Sequence, residues 1–243
     1  MTTYRIFPSA SGPVTLADPG YNGSFINAVC FAVKGGGNWF QGYWWWCAPT
    51  GQPTTAVKCA LWSVTTNSPS GVLVPGSVVT SGTLAVNSWN YIPLTTPVQL
   101  APSYDPSVST SGSAYVAGVG WTATAGFPDT SGFWGTGGAG VNGIINGPLV
   151  AYSGVAGLGG TLPAPLSLPQ GLFSTAGSDP SVTFPGSASS VDNFWVDVHV
   201  SDTAPAGYSG SYRLWPNKYD ANSATVGDSA FNYTIGTQIS LQQ

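Results

Sequence analysis

The chain has very little charge. Its 243 residues contain no glutamate, nine aspartates, one histidine and five lysines and arginines together, so charged residues make up 6% of the sequence. An exposed helix needs charged residues along its solvent face, and this composition supplies too few of them. No cluster of basic residues is available to neutralise phosphates. The composition therefore disfavours a helical fold and excludes nucleic acid as an expected partner.

Long apolar runs and a secretory signal are also missing. No run approaches the roughly 20 apolar residues of a membrane-spanning helix. The start, MTTYRIFPSA, has no charged region followed by an apolar stretch. We therefore expect neither membrane insertion nor export by an N-terminal signal.

Cysteine is scarce as well. Cys30, Cys47 and Cys59 are odd in number, which argues against a disulfide framework and fits a chain made in a reducing compartment. We expect three small, buried, apolar side chains, and a disulfide between Cys47 and Cys59 is the alternative.

Glycine, proline and aromatic residues are plentiful. The 33 glycines and 20 prolines approach the level at which disorder is expected, but 10 phenylalanines, 11 tyrosines and 10 tryptophans supply ample surface for burial. Short segments of β-branched and aromatic residues recur between turn residues, and none keeps a helical period for three turns. These segments are FINAVCFAV, GYWWWCA, AVKCALWSV, VVTSGTLAV, WNYIPL, SAYVAGVGW and FWVDVHV.

This pattern predicts an all-β fold, a jelly-roll-like β-sandwich. Residues 121 to 182 are rich in glycine and proline and predict long loops across one end or face of the sandwich, where binding surfaces usually lie. The triplet Trp44, Trp45 and Trp46 falls in one of the strands. We expect Trp44 and Trp46 to fill the core, with Tyr43 and Trp45 covering a protein contact or lying under the long loops.

One motif occurs twice. The sequence YRIFP at 4–8 returns as YRLWP at 212–216, and apolar positions after each copy also match at the same offset. We predict a sandwich domain over 1–202, a linker over 203–210, and C-terminal strands over 211–243 that resemble the start of a second module. Strands without the rest of their module must complete another sheet. The expected interface residues are Tyr212, Trp215, Tyr233, Ile235, Ile239 and Leu241.

Several stretches resemble minor tail proteins of actinobacteriophages. They are YRIFP, GYWWWCAPTGQ, ALWSV, SGTLAVNSWNYIPL, LPQGLFSTAGSDPSV, NFWVDVHVSDTAPAG and YRLWP, and together they span nearly the whole chain. SWNYIPL, SAYVAGVGW and NFWVDV also resemble an uncharacterised β-sandwich domain of secreted bacterial proteins that lies beside carbohydrate-related modules. The resemblance implies a jelly-roll-like virion protein and supplies no catalytic residues. Family members can continue past YRLWP into another module.

The leading hypothesis is therefore a non-enzymatic virion component of a tailed bacteriophage, assembled in the host cytoplasm and anchored through its terminal strands. Its expected partners are other virion proteins and further copies of itself. The alternative is an adhesion module that binds a glycan of the host cell envelope. A hydrolase is the least supported class.

Catalytic and metal-binding patterns are weak. His199 is the single histidine and shares a strand face with Asp197, which could orient it, but no nucleophile motif accompanies them. A glycosidase needs two carboxyl groups about 5 to 9.5 Å apart. Asp129 lies among aromatic residues in FPDTSGFW, yet no second acid lies in that loop, and nothing in the sequence places Asp105 or Asp179 near it. We expect no enzyme, no cofactor and no metal.

Aromatic loops could instead stack on sugar rings, with polar side chains binding hydroxyl groups. The alternative is that these aromatic residues fill the core or a subunit contact. The candidate glycan-binding residues are Trp121, Phe127, Asp129, Phe133 and Trp134.

Overall fold

The computed structural model describes residues 1–8, 12, 16–17, 22–48, 55–65, 68–103, 113–123, 126–151, 170–189 and 191–205. The chain divides into one unit over Met1–Tyr208 and another over Ser209–Gln243. The second unit lies outside the described residues, as do the C-terminal strands that the sequence predicts.

The described residues form β-strands joined by turns and loops, with no helix among them. In chain order the strands are β1 (Thr3–Tyr4), β2 (Leu16–Ala17), β3 (Gly23–Val33), β4 (Asn38–Cys47), β5 (Lys58–Thr65), β6 (Ser68–Leu73), β7 (Val79–Thr80), β8 (Ser88–Leu100), β9 (Ser113–Ala123), β10 (Phe127–Pro128), β11 (Ile144–Asn146), β12 (Leu149–Ala151), β13 (Gly171–Ser174), β14 (Ser187–Ser189) and β15 (Val196–Ser201). The segment VVTSGTLAV contributes only the two residues of β7.

The strands form two large antiparallel sheets. Sheet I has the order β1-β15-β4-β8, and sheet II has the order β11-β12-β3-β9-β5-β6. In sheet II, β13 also pairs with β3, β14 pairs with β13, and β7 pairs with β5. The short strands β2 and β10 pair with each other. Neighbours in sheet II come from distant parts of the sequence, so residues of the long central region are brought back against β3.

The two sheets pack on each other through one apolar core. Successive side chains of a strand point to opposite faces, so every second residue of each central strand enters this core. From sheet I the buried residues include Tyr43, Trp45, Ile92, Leu94, Val198 and Val200. From sheet II they include Phe25, Val29, Phe31, Leu61, Val119 and Trp121. The predicted β-sandwich is confirmed.

The tryptophan strand buries aromatic residues on both of its faces, which agrees with the expectation for Trp46 but not with that for Tyr43 and Trp45. Tyr43 and Trp45 are fully buried between the sheets, and the Tyr43 hydroxyl donates a hydrogen bond of 2.7 Å to the Ser77 carbonyl. Trp46 is buried on the opposite face, where it packs edge-on against Trp89. Trp44 is half-buried on that same face. The prediction for Tyr43 and Trp45 is therefore wrong, because both faces of β4 are apolar and the sequence alone does not say which one meets the second sheet.

The outer face of sheet II is also covered. A smaller cluster of buried residues lies there, including Ala28, Cys30, Trp62, Val116 and Leu172. The Phe184 ring packs edge-on against Trp62, whose indole N–H donates to the Pro180 carbonyl at 2.8 Å. A Cβ at Gly120 would collide with the Ser178 carbonyl and with Pro180. Glycine at this position thus lets the segment around Pro180 lie directly on the sheet.

The three cysteines are free and buried, as expected, and Cys47 and Cys59 are not bridged. Burial raises the pKa of the Cys30 thiol to about 12 and that of Cys47 to about 11. These thiols are small apolar parts of the packing and stay protonated at neutral pH.

The first copy of the repeated motif binds to β15. Tyr4 pairs with Val200, and the backbone N–H groups of Ile6 and Phe7 donate to the carboxylate of Asp197 at 2.7 and 3.0 Å. Arg5 donates to the same carboxylate at 3.1 Å. Asp197 is fully buried. We call these contacts the Asp197 clamp, because they hold the N-terminal motif on β15.

Candidate functional site

A short backbone pairing outside the sheets brings two distant loops together. The N–H of Thr130 donates to the Asn193 carbonyl at 2.9 Å, and the N–H of Asn193 donates back to the Thr130 carbonyl at 3.1 Å. In an antiparallel pair, the side chains just before and just after the bridged residues point to the face opposite to that of the bridged residues themselves. Asp129 and Asp192, one on each side of the bridge, are thereby placed at one site.

Four phenylalanine rings lie beside these aspartates. Phe25 of β3 stacks on Phe127 at 4.2 Å between ring centroids and on Phe173 of β13 at 5.8 Å. Phe194 meets all three rings at steep angles, with centroid distances of 6.0 to 6.5 Å to Phe127 and Phe25 and 5.8 Å to Phe173. Offset-stacked and edge-to-face arrangements of this kind are favourable for aromatic rings. The four rings form a continuous apolar wall.

The rings and the two carboxylates enclose a pocket of about 280 Å³. Its lining residues are Phe25, Phe127, Asp129, Phe173, Asp192 and Phe194, and we call it the phenylalanine–aspartate pocket. Phe127, Phe173 and both aspartates are partly exposed, so the pocket is open to solvent. Its size suits one small chemical group rather than a drug-sized ligand.

The two aspartates differ in their hydrogen bonding. An oxygen of Asp192, Oδ1, accepts a hydrogen bond of 2.8 Å from the backbone N–H of Gly132. The Oδ1 atom of Asp129 is buried and has no hydrogen-bond partner among the described residues. An unpaired buried carboxylate oxygen is costly. Asp129 therefore has a free acceptor that a ligand could satisfy.

The electrostatics of the pocket follow from this arrangement. Burial, together with the nearby charge of Asp192, raises the pKa of Asp129 to about 7, and a hydrogen bond from the Thr130 backbone partly opposes the rise. A carboxyl group with such a pKa changes its charge near neutral pH. Strongly shifted pKa values are enriched at functional sites.

The backbone next to the pocket is strained. Trp195 has a φ of 54°, a left-handed conformation that is rare for a bulky residue. It is held there by a hydrogen bond of 3.0 Å from its N–H to the Asn193 side chain and one of 2.9 Å from its indole N–H to Thr130 Oγ1. Strain of this kind persists only where the surroundings enforce it, and it is common at binding sites.

The structure separates the five predicted glycan-binding residues. Phe127 and Asp129 line the pocket. The side chains of Trp121, Phe133 and Trp134 are instead at most 9% exposed and belong to the apolar core. Phe133 and Trp134 pack edge-on against each other, and Trp121 packs against Trp45. The core-filling alternative therefore describes these three residues.

The second acid of the pocket was missed in the sequence. No second acid lies in the Asp129 loop itself, but Asp192, which lies far along the chain and was not among the acids considered, reaches the same pocket. Asp179 instead pairs with Lys58 at 2.6 Å, and Asp105 lies outside the described residues. No local pattern in the sequence marks Asp192 as the partner of Asp129, because the two segments are brought together only by the Thr130–Asn193 bridge.

A second aromatic cluster lies on the outer face of sheet I. The ring of Trp44 lies 4.9 Å from Tyr91, and Tyr91 lies 4.9 Å from His199, measured between centroids. The guanidinium carbon of Arg5 lies 4.1 Å above the Trp44 ring and 4.6 Å from Trp89. Cation–π contacts of this kind are favourable. Arg5 therefore covers one side of this cluster and leaves Tyr91 as its exposed edge.

The predicted partnership of His199 with Asp197 is not formed. The Asp197 carboxylate is occupied by the clamp and by the Val198 backbone N–H. His199 Nδ1 instead accepts a hydrogen bond of 3.2 Å from the Trp44 indole N–H. Burial and the nearby Arg5 lower the pKa of His199, so the imidazole is neutral at pH 7 and acts as the acceptor.

The predicted interface residues Tyr212, Trp215, Tyr233, Ile235, Ile239 and Leu241 lie outside the described residues. In the described part of the chain, no three histidine, cysteine or acidic side chains lie together as a metal site would require. Nor does that part contain a helix long and apolar enough to cross a membrane. Comparison of the chain with protein-family models, curated proteins and solved structures finds no match.

Proposed function

We propose that the chain is a non-enzymatic structural protein of a tailed bacteriophage particle, a minor tail or other accessory component anchored through its terminal strands. The segments that resemble minor tail proteins support this proposal, since they are distributed over nearly the whole chain. They include YRIFP, which forms the Asp197 clamp, and NFWVDVHV, which supplies Asp197. The two resembling segments thus meet in one structural feature.

The Asp197 clamp is the observation that carries the anchoring proposal. In the first copy, Arg5 and two backbone N–H groups bind one buried carboxylate. The second copy, YRLWP, keeps the tyrosine, the arginine, an apolar pair and the proline. Its proposed role is to bind a carboxylate-bearing strand of a neighbouring virion subunit by the same chemistry. Strand addition of this kind takes its affinity from main-chain hydrogen bonds and its specificity from alternate side chains.

The test compares the two arginines. Arg213→Ala should leave thermal melting of the sandwich unchanged and prevent incorporation into particles. Arg5→Ala, the matched variant in the first copy, should lower the melting temperature because it leaves the buried Asp197 without its counter-charge. Deleting all residues after Gly210 should reproduce the Arg213→Ala result. Normal incorporation of both the Arg213→Ala and the truncated protein would contradict the anchoring proposal.

A second candidate function is adhesion to a glycan of the host cell envelope, and the phenylalanine–aspartate pocket favours it. Aromatic rings stack on the apolar faces of sugars, and carboxylates accept hydrogen bonds from hydroxyl groups. Phe127 and Phe173 are partly exposed at this pocket. Both functions can belong to one particle protein.

Glycan-array binding tests the second candidate. Phe127→Ala should abolish binding, because it removes an exposed ring of the pocket wall. Tyr91→Ala is the matched control: it removes an exposed ring from the outer face of sheet I and should leave binding intact. If Tyr91→Ala abolishes binding and Phe127→Ala does not, the glycan site lies on the outer face of sheet I instead. If no glycan binds and the protein is still incorporated into particles, the adhesion function is contradicted and the structural role is retained.

A further inference from the structure

The Asp197 clamp contacts only a few features of the segment that it holds. Two of its hydrogen bonds come from the backbone N–H groups of Ile6 and Phe7, and a third comes from the side chain of Arg5. Every residue except proline has a backbone N–H group. The carboxylate of Asp197 therefore requires an arginine followed by two residues that are not proline.

The second copy of the motif, YRLWP, has each of these features. Arg213 stands at the arginine position, and Leu214 and Trp215 supply two backbone N–H groups. Tyr212 has the hydroxyl group that, in the first copy, donates to the carboxylate of Asp202 at 3.4 Å. The two residues that differ between the copies are apolar in both. The second copy can therefore make the polar contacts of the first.

The aromatic site next to the clamp has one wall that can give way to a larger ring. The Phe7 ring lies among Trp195, Trp134, Phe133 and Trp89, at centroid distances of 5.6, 5.8, 5.9 and 6.4 Å. We call this the Phe7 site. Three of its walls are buried, whereas Trp89, the most distant one, is half-buried. An indole in place of the phenyl ring would push Trp89 towards solvent and would bury a larger apolar surface.

The motif that now fills the clamp is attached at the margin of sheet I. Its strand, β1, has two residues, and the three residues Met1 to Thr3 are exposed. Its departure would leave the pairing of β15 with β4 intact. The burial of Ile6 and Phe7 that is lost in this way is recovered when Leu214 and Trp215 enter. Exchange of equivalent elements between subunits is a low-cost route to association.

Each copy of the chain carries both halves of this contact. The clamp lies on β15, and the second motif begins at Tyr212, with residues 202–211 between them. A surface on one copy that fits a segment of the next copy gives head-to-tail association. Copies packed side by side on a particle are at high local concentration, which favours exchange between them. A second copy of the chain is therefore a partner that already has the required sequence.

We infer that the Asp197 clamp of one copy binds the YRLWP motif of a second copy in place of its own YRIFP motif. Arg213 pairs with the Asp197 carboxylate, the N–H groups of Leu214 and Trp215 donate to it, and the indole enters the Phe7 site. This inference rests on the anchoring proposal and names the acceptor, which that proposal leaves open. Repetition of the contact joins copies head to tail.

Peptides added to a full-length double variant test the fit of the motif. Arg5→Ala with Arg213→Ala removes the arginine from both motifs of the chain. The peptide SYRLWPN, residues 211–217, should raise the melting temperature of this variant by about 3–6 °C at about tenfold its Kd. The same peptide with Arg213→Ala is the matched control and should leave the melting temperature unchanged. The peptide TYRIFPS, residues 3–9, should raise it as SYRLWPN does.

Dependence on protein concentration tests exchange between copies. The melting temperature of the Arg5→Ala chain should rise with protein concentration, because Arg213 of other copies fills its clamp, whereas that of the double variant should stay constant. If the double variant does not fold, sedimentation of the wild type and of Arg213→Ala decides the question. The mean mass of the wild type should increase over about a hundredfold range of concentration, and that of Arg213→Ala should not.

Failure of SYRLWPN to raise the melting temperature would overturn the inference, whether or not TYRIFPS raises it. So would a melting temperature of Arg5→Ala that is independent of protein concentration, or identical sedimentation of the wild type and Arg213→Ala. If Arg213→Ala is still excluded from particles in any of these cases, the anchoring proposal stands with another virion protein as the acceptor. Normal incorporation of Arg213→Ala and of the truncated chain would contradict the anchoring proposal even if the peptide binds.

Discussion

Replacement of Asp197 by alanine should destabilise the sandwich strongly. The carboxylate is fully buried and accepts hydrogen bonds from Arg5 at 3.1 Å, Ile6 at 2.7 Å, Phe7 at 3.0 Å and Val198 at 2.7 Å. Alanine leaves three backbone N–H groups and a mostly buried guanidinium without their acceptor. Breaking a buried ion pair costs about 3–5 kcal/mol and each orphaned donor about 1–3 kcal/mol. Since water can enter part of the space, we expect a loss of about 4–6 kcal/mol.

Replacement of Asp197 by asparagine separates the effect of losing the negative charge from the effect of losing all the hydrogen-bond acceptors. In the wild type, Oδ1 accepts from Ile6 and Val198, and Oδ2 accepts from Phe7 and Arg5. An asparagine oxygen can keep one of these pairs, but its NH₂ group then faces the donors of the other pair. The expected loss is smaller, about 2–3 kcal/mol.

Urea denaturation of the wild type and both variants measures these losses. Asp202→Asn is the control: Asp202 also accepts a hydrogen bond from the N-terminal segment, from the Thr2 backbone N–H, but this bond is exposed to solvent, and its replacement should leave the midpoint unchanged. A loss below about 1 kcal/mol for Asp197→Ala would refute the clamp as a structural element. It would also remove the support that the clamp lends to the anchoring role of the second motif.

Three further changes test other parts of the structure. Trp46→Ala should cost about 3–5 kcal/mol in urea denaturation, because the ring is buried against Trp89; a loss below about 1 kcal/mol would mean an exposed ring. Gly120→Ala should cost about 1–3 kcal/mol, because the added Cβ collides with the Ser178 carbonyl; an unchanged melting temperature would show that this segment does not cover sheet II. Asp129→Asn should raise stability at pH 8 by about 2 kcal/mol after allowance for partial solvent exposure.

The sign of the Asp129 effect follows from proton binding. The folded state holds the proton up to about pH 7, whereas the unfolded chain releases it near 3.8. The folded state therefore binds more protons between these values, and the contribution of Asp129 to stability falls as the pH rises through this window. Asparagine carries no charge, so the stability of the variant does not fall in this way as the pH rises. Parallel stability curves for the variant and the wild type from pH 4 to pH 8 would contradict the raised pKa.

Strand positions were largely predictable from the sequence because alternation and β-branched residues are local signals. β3, β4 and β9 lie where FINAVCFAV, GYWWWCA and SAYVAGVGW predict them. The orientation of β4 was not predictable, because Tyr43 and Trp45 on one face are as apolar as Trp44 and Trp46 on the other. The cover that decides between the faces is partly Arg5, which comes from the N-terminal motif and lies above Trp44.

Only part of the candidate site was predictable from the sequence. Asp129 stands out locally because it lies among aromatic residues. Asp192 joins it through the Thr130–Asn193 bridge, a contact between distant segments that no local pattern specifies. Phe25 and Phe173 reach the same pocket because β13 pairs with β3. Non-local pairing of this kind creates the pocket, and this is why sequence reasoning alone assigned the core residues Trp121, Phe133 and Trp134 to the same site as Phe127.

The central proposal, that the chain is a structural component of a tailed bacteriophage particle, is tested most directly by locating the chain on the particle. Particles are purified from bacteria infected with a phage that encodes this sequence. They are labelled with a gold-conjugated antibody raised against the sandwich domain and imaged by electron microscopy. The account predicts gold at a fixed position on the tail, and loss of that label when the particles carry Arg213→Ala. Unlabelled particles, with the chain recovered only from the particle-free lysate, would contradict it.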